Sequence, residues 1–136
     1  SSRCVSRPDE KSLAKKLERW QKIAASAAEQ SGRGRIPSVL TVNSYREAVE
    51  RAARSELPLF PYENERTVSL RAAIGPAQFH TAAIMTGPEG GFSEDEVRLA
   101  EEAGMKICSL GPRILRCETA PLCALSAVLY AAGALE

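Results

Sequence analysis

The chain has 136 residues, of which 44% are hydrophobic and 26% are charged, and its net charge is +1. These values are typical of a single globular domain and argue against a disordered or fibrous protein. No segment approaches the roughly 20 consecutive apolar residues that span a bilayer, and no secretory leader is seen. We therefore expect a soluble, cytoplasmic protein without membrane association. The sequence begins at Ser1 rather than at a methionine, which indicates a processed or truncated chain.

Basic residues are concentrated near the N-terminus. Residues 1–35 carry nine Lys or Arg and four acidic residues, a net charge of +5, whereas the remaining residues carry −4. This asymmetry is compatible with a surface that faces a polyanion, but a basic run is more often a solvated helix face. The residues predicted to contact RNA phosphates are Lys15, Lys16, Arg19, Lys22 and Arg33.

The cysteines do not form a metal-binding pattern. Cys4, Cys108, Cys117 and Cys123 contain no CxxC pair, and the single histidine, His80, has no cysteine near it. We expect no metal. Reduced and mostly buried thiols are favoured over a disulfide or a redox role.

The first predicted elements are a helix, a strand and a second helix. Apolar residues recur at helical spacing over residues 9–30, and Gly32 supplies a stop. Residues 39–42 are rich in β-branched residues and predict a short strand. Residues 44–47 form a capping box that opens a helix ending near Ser55.

The central part of the chain predicts a buried strand followed by a glycine-rich turn. Residues 57–62 are typical of a strand end, although two prolines forbid an unbroken hydrogen-bond ladder. One or two helical turns are expected over residues 67–74. The clearest buried strand covers residues 81–86, and it runs directly into the turn at residues 87–91.

The last third predicts one more strand between two helices. A capping box at residues 93–96 opens a helix that reaches about Ala103, and its acidic first turn suits the helix dipole. A strand over residues 105–110, a loop over 111–117 and a helix over 118–133 follow. Alternating strands and helices predict a single α/β domain with a mostly parallel sheet flanked by helices.

Two loops that follow strands are the candidate ligand sites, because ligands of open α/β sheets bind beyond the carboxyl ends of the strands. The turn at residues 87–92 has three glycines that let a backbone approach a ligand. It lacks a Walker lysine and GxGxxG spacing, and a purely structural tight turn remains the alternative. In the loop at residues 111–117, apolar Ile114 and Leu115 lie between two arginines. A ligand or another part of the protein should bury these two side chains. The alternative to a ligand site is that they simply plug the end of the sheet.

The two loops together resemble a known pair of motifs. GPEGGFSEDEV at residues 87–97 and LGPRILRCETA at residues 110–120 resemble the signature of the ribosomal small-subunit RNA uridine-N3 methyltransferase family, in the SPOUT superfamily. A third block agrees, because residues 19–21 and 28–33 with Ile36-Pro37 resemble the upstream helix of that family and its exit. The similarity runs from about Arg3 to the end of the chain.

The resemblance implies a fold and partners. It implies a C-terminal trefoil knot, formed here by residues 85–91 and by Leu110 through the last helix. It also implies S-adenosylmethionine bound in the knot, a homodimer packed partly through the last helix, and small-subunit ribosomal RNA as substrate. Residues 1–136 would then be one SPOUT methyltransferase domain that lacks its N-terminal start and the PUA-like RNA-binding domain of the family.

The resemblance also implies site residues. Adenosine would bind largely to backbone groups, with Ile114 and Leu115 against the adenine. The implied cofactor-binding residues are Leu59, Tyr62, Thr86, Gly87, Pro88, Glu89, Gly90, Gly91, Leu110, Gly111, Ile114 and Leu115.

The implied chemistry needs assistance with a proton. Uracil N3 is protonated at neutral pH, so a base or a positive neighbour must assist. Arg116 is the candidate for a catalytic or RNA-orienting role, Glu118 for a base, and Glu89 is a less favoured base. The alternatives without a catalytic role are an ion pair between Arg116 and Glu118 or another neighbouring acid, and helix N-terminal electrostatics for Glu89.

Two other functions remain open at this point. One is a catalytically silent RNA-binding or dimerisation module of the same fold. The other is a SPOUT enzyme that methylates the ribose 2′-oxygen of transfer RNA, against which the paired motifs weigh.

Overall fold

The computed structural model describes residues 9–76 and 78–136. They fall into two compact units, one over residues 9–43 and one over residues 44–136. Cys4 and the start of the family resemblance near Arg3 lie outside the described residues.

The 9–43 unit consists of one long helix and a following segment without regular secondary structure. Helix α1 covers Glu10–Gln30, as predicted. The Asp9 carboxylate caps it by accepting a hydrogen bond from the Ser12 N–H at 2.7 Å, which satisfies one of the amides that a helix start leaves unpaired.

The strand predicted at residues 39–42 is wrong, because this segment has no regular secondary structure and pairs with no described strand. The side chain of Gln21 satisfies its backbone instead. The Gln21 Nε2 donates to the Pro37 carbonyl at 2.9 Å, and the Val39 N–H donates to the Gln21 Oε1 at 2.9 Å. Leu40 is 63% exposed, so no apolar face pulls the segment into a sheet.

The 44–136 unit is a parallel sheet flanked by helices, which confirms the predicted α/β class. In its described part the strands are β1 (Leu57–Pro61), β2 (Ala82–Ile84) and β3 (Lys106–Cys108), and the helices are α2 (Tyr45–Ala53), α3 (Leu70–Ile74), α4 (Glu94–Glu102) and α5 (Ala120–Ala131). The strand order is β2-β1-β3, and both pairings are parallel. Strands β2 and β3 are shorter than predicted.

Strand β1 is the central strand although it contains two prolines. Its odd-numbered residues bond to β2, since the Leu57 N–H donates to the Thr81 carbonyl, and its even-numbered side bonds to β3, since the Tyr62 N–H donates to the Cys108 carbonyl. The missing N–H of Pro58 therefore faces β3 before that pairing begins at Leu59, and the missing N–H of Pro61 faces β2 after that pairing ends. Neither proline removes a ladder bond, which resolves the conflict that the sequence posed.

Serine residues cap three helices of this unit. Ser44, Ser69 and Ser93 each accept a hydrogen bond from a backbone N–H three residues later. At Ser93 the predicted capping box is complete, because its own N–H donates to the Glu96 carboxylate at 2.9 Å. These caps fix where α2, α3 and α4 begin.

Both faces of the sheet are covered by apolar clusters. One cluster contains Val49, Phe60, Phe92, Ala100 and Met105, and the other contains Leu57, Leu59, Ala73, Cys108 and Val128. Residues alternate between the faces along β1, which is why its whole length is apolar. Each large side chain buried in this way contributes about 1.5–3 kcal/mol. The sheet is thus a rigid base for the loops at its carboxyl edge.

Among the described residues, none of the helices combines the length and the apolar character that crossing a bilayer would require.

Candidate functional site

The loops that follow the three strands meet at the carboxyl edge of the sheet and enclose a cavity of about 680 Å³. The walls come from residues 61–66 after β1, residues 86–92 after β2 and residues 109–120 after β3. A parallel sheet places these three loops at one edge, which is where ligands of such folds bind.

Most of the predicted site residues line this cavity. Those on its walls are Tyr62, Thr86, Gly87, Pro88, Glu89, Gly91, Leu110, Gly111, Ile114, Leu115, Arg116 and Glu118. Gly90 lies in the same turn as its lining neighbours. Leu59 lies elsewhere, because its side chain is fully buried in the core and its carbonyl accepts a ladder bond from the Met85 N–H at 3.0 Å.

The glycine-rich turn has a structural need for its glycines. The Gly91 N–H donates to the Pro88 carbonyl at 2.8 Å, and the φ of Gly91 is 68°, which favours glycine. A Cβ on Gly91 would meet the carboxylate of Glu63, and one on Gly87 would lie 3.0 Å from the ring of Phe92. The glycines therefore serve the chain path, and the tight turn that they allow forms one wall of the cavity.

Aromatic packing anchors the end of this turn. The buried ring of Phe92 lies 4.5 Å from that of Phe60 and 5.9 Å from that of Tyr45, between ring centroids. The Tyr45 hydroxyl donates to the Glu96 carbonyl at 2.6 Å. Burial, helped by the Glu96 carboxylate, raises the pKa of Tyr45 to about 12. The core thus fixes the position of Phe92, at the end of the turn that lines the cavity.

The loop after β3 presents an apolar side chain to solvent. The Ser109 hydroxyl donates to the Gly111 carbonyl and accepts from the Gly111 N–H, both at 3.1 Å, which tightens the start of the loop. Ile114 lines the cavity and is 76% exposed. A plug at the sheet end is therefore wrong for Ile114, and no described residue buries it.

The charged groups of the cavity are not paired with each other. Arg116 forms no ion pair with any residue of the described ranges, so the alternative of an ion pair with Glu118 or another neighbouring acid is absent there. Glu118 instead accepts a hydrogen bond from the Cys117 thiol at 3.2 Å. Its own backbone N–H, and then this thiol, lower the pKa of the Glu118 carboxyl. Glu118 is accordingly ionised at neutral pH.

Glu89 also lines the cavity. The acidic residues in the first turn of α4 are Glu94, Asp95 and Glu96. The Cys117 thiol has a raised pKa, because of its hydrogen bond to Glu118, its partial burial and the negative charges of Glu89 and Glu118. Glu89 is therefore close enough to act electrostatically on the loop after β3.

The remaining thiols are reduced in the described part of the chain, where Cys108, Cys117 and Cys123 are free. Burial raises the pKa of Cys108 to about 11. The prediction of mostly buried thiols holds for Cys108 but is wrong for Cys123, which is exposed on α5. No group of residues within 9–76 and 78–136 is arranged to hold a metal ion.

The predicted RNA-contact residues of α1 lie mostly on one helix face. Lys15, Arg19 and Lys22 line a shallow groove along α1, whereas Lys16 is partly buried elsewhere on the helix. Lys22 also pairs with Glu18 at 2.9 Å. Arg33 lies beyond the helix end, where its Nε donates to the Arg35 carbonyl at 3.1 Å.

Three charged residues on the cavity walls were missed by the sequence interpretation. They are Glu63 and Arg66, in the loop after β1, and Arg113, in the loop after β3. Their positions just beyond strand ends are a signal that could have found Glu63 and Arg66. Arg113 lies within a motif loop that the sequence singled out.

The chain also matches a known protein family. The model of the RNA methyltransferase domain family matches residues 1–129. The chain belongs to this family. Among RNA methyltransferases, the ribosomal RNA small subunit methyltransferase E of Bacillus subtilis is 43% identical over 136 residues, covering 96% of this chain and 53% of its own length. The enzyme of that name from Mycobacterium tuberculosis is 38% identical over 135 residues, covering 94% and 50%. The chain spans about half the length of the curated relatives it matches.

Solved methyltransferase structures have the same fold. A methyltransferase from Legionella pneumophila, in complex with bound S-adenosylmethionine, superposes with a TM-score of 0.84 and 37% identity, covering 96% of this chain and 52% of that one. The ribosomal RNA small subunit methyltransferase E of Neisseria gonorrhoeae, bound to S-adenosylmethionine, superposes with a TM-score of 0.77 and 42% identity, covering 96% and 52%. The resemblance inferred from the sequence is confirmed at the level of this family.

Proposed function

We propose that the chain is the catalytic domain of an S-adenosylmethionine-dependent enzyme that methylates N3 of a uridine in small-subunit ribosomal RNA. The observation that carries this proposal is the cavity at the carboxyl edge of the sheet. Its walls contain nearly all of the residues that the motifs associate with the cofactor. Solved relatives that cover 96% of the chain contain the same cofactor.

The cavity fits a ligand of this size and chemistry. Its volume of about 680 Å³ lies within the roughly 300–1,000 Å³ of small-molecule sites. Ile114 and Leu115 offer apolar surface to an adenine, and covering the exposed Ile114 would recover transfer free energy. The turn at residues 87–91 offers backbone groups. When bound, S-adenosylmethionine supplies an activated methyl group.

In the proposed reaction the residues of the chain handle a proton and a developing negative charge. The N3–H bond of uracil breaks and its proton passes to the Glu118 carboxylate, which its lowered pKa keeps ionised at neutral pH. Arg116 donates hydrogen bonds to a ring oxygen as negative charge develops there. Because Arg116 has no ion-pair partner in the described part of the chain, no existing pair has to break first.

Ribosomal RNA and a second copy of the chain are the proposed partners. Lys15, Arg19 and Lys22 on α1 would contact RNA phosphates, with Lys16 and Arg33 as further contacts. The last helix, α5, contains no charged residue, and Leu122 and Tyr130 on it are exposed. An exposed apolar helix face supports a homodimer packed through α5.

The remaining parts of the proposal concern chain organisation. Residues 1–136 form one SPOUT domain with a trefoil knot made by residues 85–91 and Leu110 through α5. The PUA-like domain occupies the part of the relatives' length that the chain does not cover, and the enzyme acts in the cytoplasm, where ribosomal RNA is found.

Calorimetric titration with S-adenosylhomocysteine tests the site. We expect micromolar binding by the parent, roughly −8 kcal/mol, and a loss of about tenfold or more in Ile114→Asp, which places a charge where adenine packs. Leu135→Asp is the matched control, because Leu135 is also exposed but lies outside the cavity. Absence of binding by the parent would favour the catalytically silent RNA-binding or dimerisation module.

Nucleoside analysis tests the reaction. Small-subunit ribosomal RNA treated with the full-length enzyme and the cofactor should yield 3-methyluridine after digestion. A 2′-O-methylated nucleoside would instead assign the chain to the ribose-methylating SPOUT enzymes. Arg116→Ala in the same enzyme should lower the methylation rate by about 10²-fold or more while leaving S-adenosylhomocysteine affinity unchanged.

A further inference from the structure

Three arginines stand around the cavity, and the cofactor site does not require them. Arg66 follows β1, and Arg113 and Arg116 follow β3. All three side chains are exposed. Within residues 9–76 and 78–136, none of them forms an ion pair. Each guanidinium therefore keeps its donors available for an anion.

The carboxylates on the same walls contact other groups. Glu63 lies against Gly91 in the turn after β2. Glu89 belongs to that turn, and both Glu89 and Glu118 act on the Cys117 thiol. The acidic groups are thus associated with the turn after β2 and with Cys117. No ion pair in the described ranges joins the three arginines to these carboxylates.

The charge of the proposed cofactor does not account for three arginines. S-adenosylmethionine has a sulfonium, an ammonium and a single carboxylate, so it is a net cation and one guanidinium is enough for its anionic group. RNA, by contrast, is a polyanion with one charged phosphate per nucleotide. The unpaired arginines therefore complement the substrate better than the cofactor.

We propose that Arg66 and Arg113 bind backbone phosphates of single-stranded RNA next to the nucleotide whose base enters the cavity. This inference rests on the proposed function and extends it to the form of the substrate. A base that must reach a cavity between loops has to leave a helical stack, and unpaired RNA offers it at the lowest cost. Phosphates bound by guanidinium forks would hold the strand at the cavity mouth while Arg116 faces the base.

The test compares RNA binding with cofactor binding. The probe is a fluorescein-labelled oligouridylate, titrated by anisotropy over a range of salt concentrations, and S-adenosylhomocysteine is titrated in parallel. We expect Arg66→Ala and Arg113→Ala each to weaken RNA binding about threefold to tenfold at low salt. Each should reduce the slope of log affinity against log salt by about 0.7. S-adenosylhomocysteine affinity should not change.

Two sets of variants sharpen the result. Arg71→Ala is the matched control, because Arg71 is exposed on α3 and does not line the cavity. It should leave RNA binding at the parent value. Arg66→Lys and Arg113→Lys keep the charge but lose the planar fork, so they should restore the salt slope and only part of the affinity.

Several outcomes would overturn the inference. Unchanged RNA affinity in both alanine variants, a loss equal to that of Arg71→Ala, or no RNA binding by the parent would each do so. Loss of S-adenosylhomocysteine affinity with RNA binding intact would assign the arginines to the cofactor carboxylate. If the parent binds RNA through these arginines but does not bind S-adenosylhomocysteine, the inference stands and the proposed methyltransferase function fails.

Discussion

The two units of the chain differ in how they use apolar residues. The 44–136 unit buries them in two clusters on the faces of its sheet, with Phe60 and Leu59 completely enclosed. In the 9–43 unit Ala28 is the only buried residue, and Trp20 is 45% exposed. A single helix with an exposed apolar side gains little from packing. The buried apolar clusters therefore stabilise the sheet unit, whereas the helix unit gains little stability from its own contacts.

Truncating one aromatic side chain in each unit gives the largest expected contrast. Phe60→Ala should lower the free energy of unfolding by about 3–5 kcal/mol, since it empties the core between β1 and Phe92. Trp20→Ala should cost less than about 1 kcal/mol because much of its ring is already hydrated. Urea denaturation measures both. Equal losses would show that the helix unit has a core of comparable value.

Two glycines with nearly the same backbone conformation give the next contrast. The φ of Gly91 is 68° and that of Gly32 is 70°, so alanine adds about 1–2 kcal/mol of strain at either position. In Gly91→Ala this strain should lower the midpoint of global unfolding. In Gly32→Ala it should only speed amide hydrogen exchange near the end of α1. A global loss of stability in Gly32→Ala would contradict the comparison.

Helix caps give a smaller effect. Ser93→Ala removes the capping box of α4 and should lower the free energy of unfolding by about 1 kcal/mol. Asp9→Ala removes the equivalent bond of α1, and there we expect faster exchange of the first-turn amides without a shift in the denaturation midpoint. Hydrogen exchange monitored beside urea denaturation separates the two results.

Acid titration gives the smallest contrast. Hydrogen bonds from the Thr67 hydroxyl and from the Val68 and Thr67 amides lower the pKa of Glu65 to about 2. Because the folded-state pKa is depressed, this stabilisation is present above the ordinary carboxyl value and is lost as the pH falls towards about 2. Glu65 is only partly buried, so solvent screening limits the effect to less than about 1 kcal/mol.

Glu65→Gln should flatten the acid side of the stability curve of the 44–136 unit. Glu18 is the matched residue of the helix unit, with its pKa lowered by the hydrogen bond and charge of Lys22. Its effect should disappear in high salt, because both partners are solvated. A salt-sensitive Glu65 effect would show that charge, rather than hydrogen bonding, sets its pKa.

Much of the fold was predictable because its signals are local. Helices α1 and α4 follow from apolar periodicity and from capping residues a few positions apart. The strand predicted at residues 39–42 failed because a strand needs a partner, and here Gln21, 18 residues before Val39, satisfies the backbone. The central place of β1 in the sheet could not be predicted from the sequence either, because its prolines are tolerated only in the observed register.

The site was predictable where a motif marks it and hidden where separate loops converge. The turn at residues 87–91 and the loop after β3 carry recognisable motifs, and both line the cavity. Glu63 and Arg66 belong to neither motif. They reach the cavity because β1 lies between β2 and β3, and this order depends on long-range pairing. The exposure of Ile114 could not be predicted from its apolar character.

The two prolines of β1 also limit how the sheet can misassemble. If β2 slipped by one pleat towards the carboxyl end of β1, a carbonyl of β2 would face Pro61, which has no N–H to offer. If β3 slipped the other way, a carbonyl of β3 would face Pro58. Each error would leave a buried acceptor unpaired, at a cost of about 1–3 kcal/mol. The prolines thus limit the register at the two ends of the strand, and this register brings the three loops that line the cavity to one edge of the sheet.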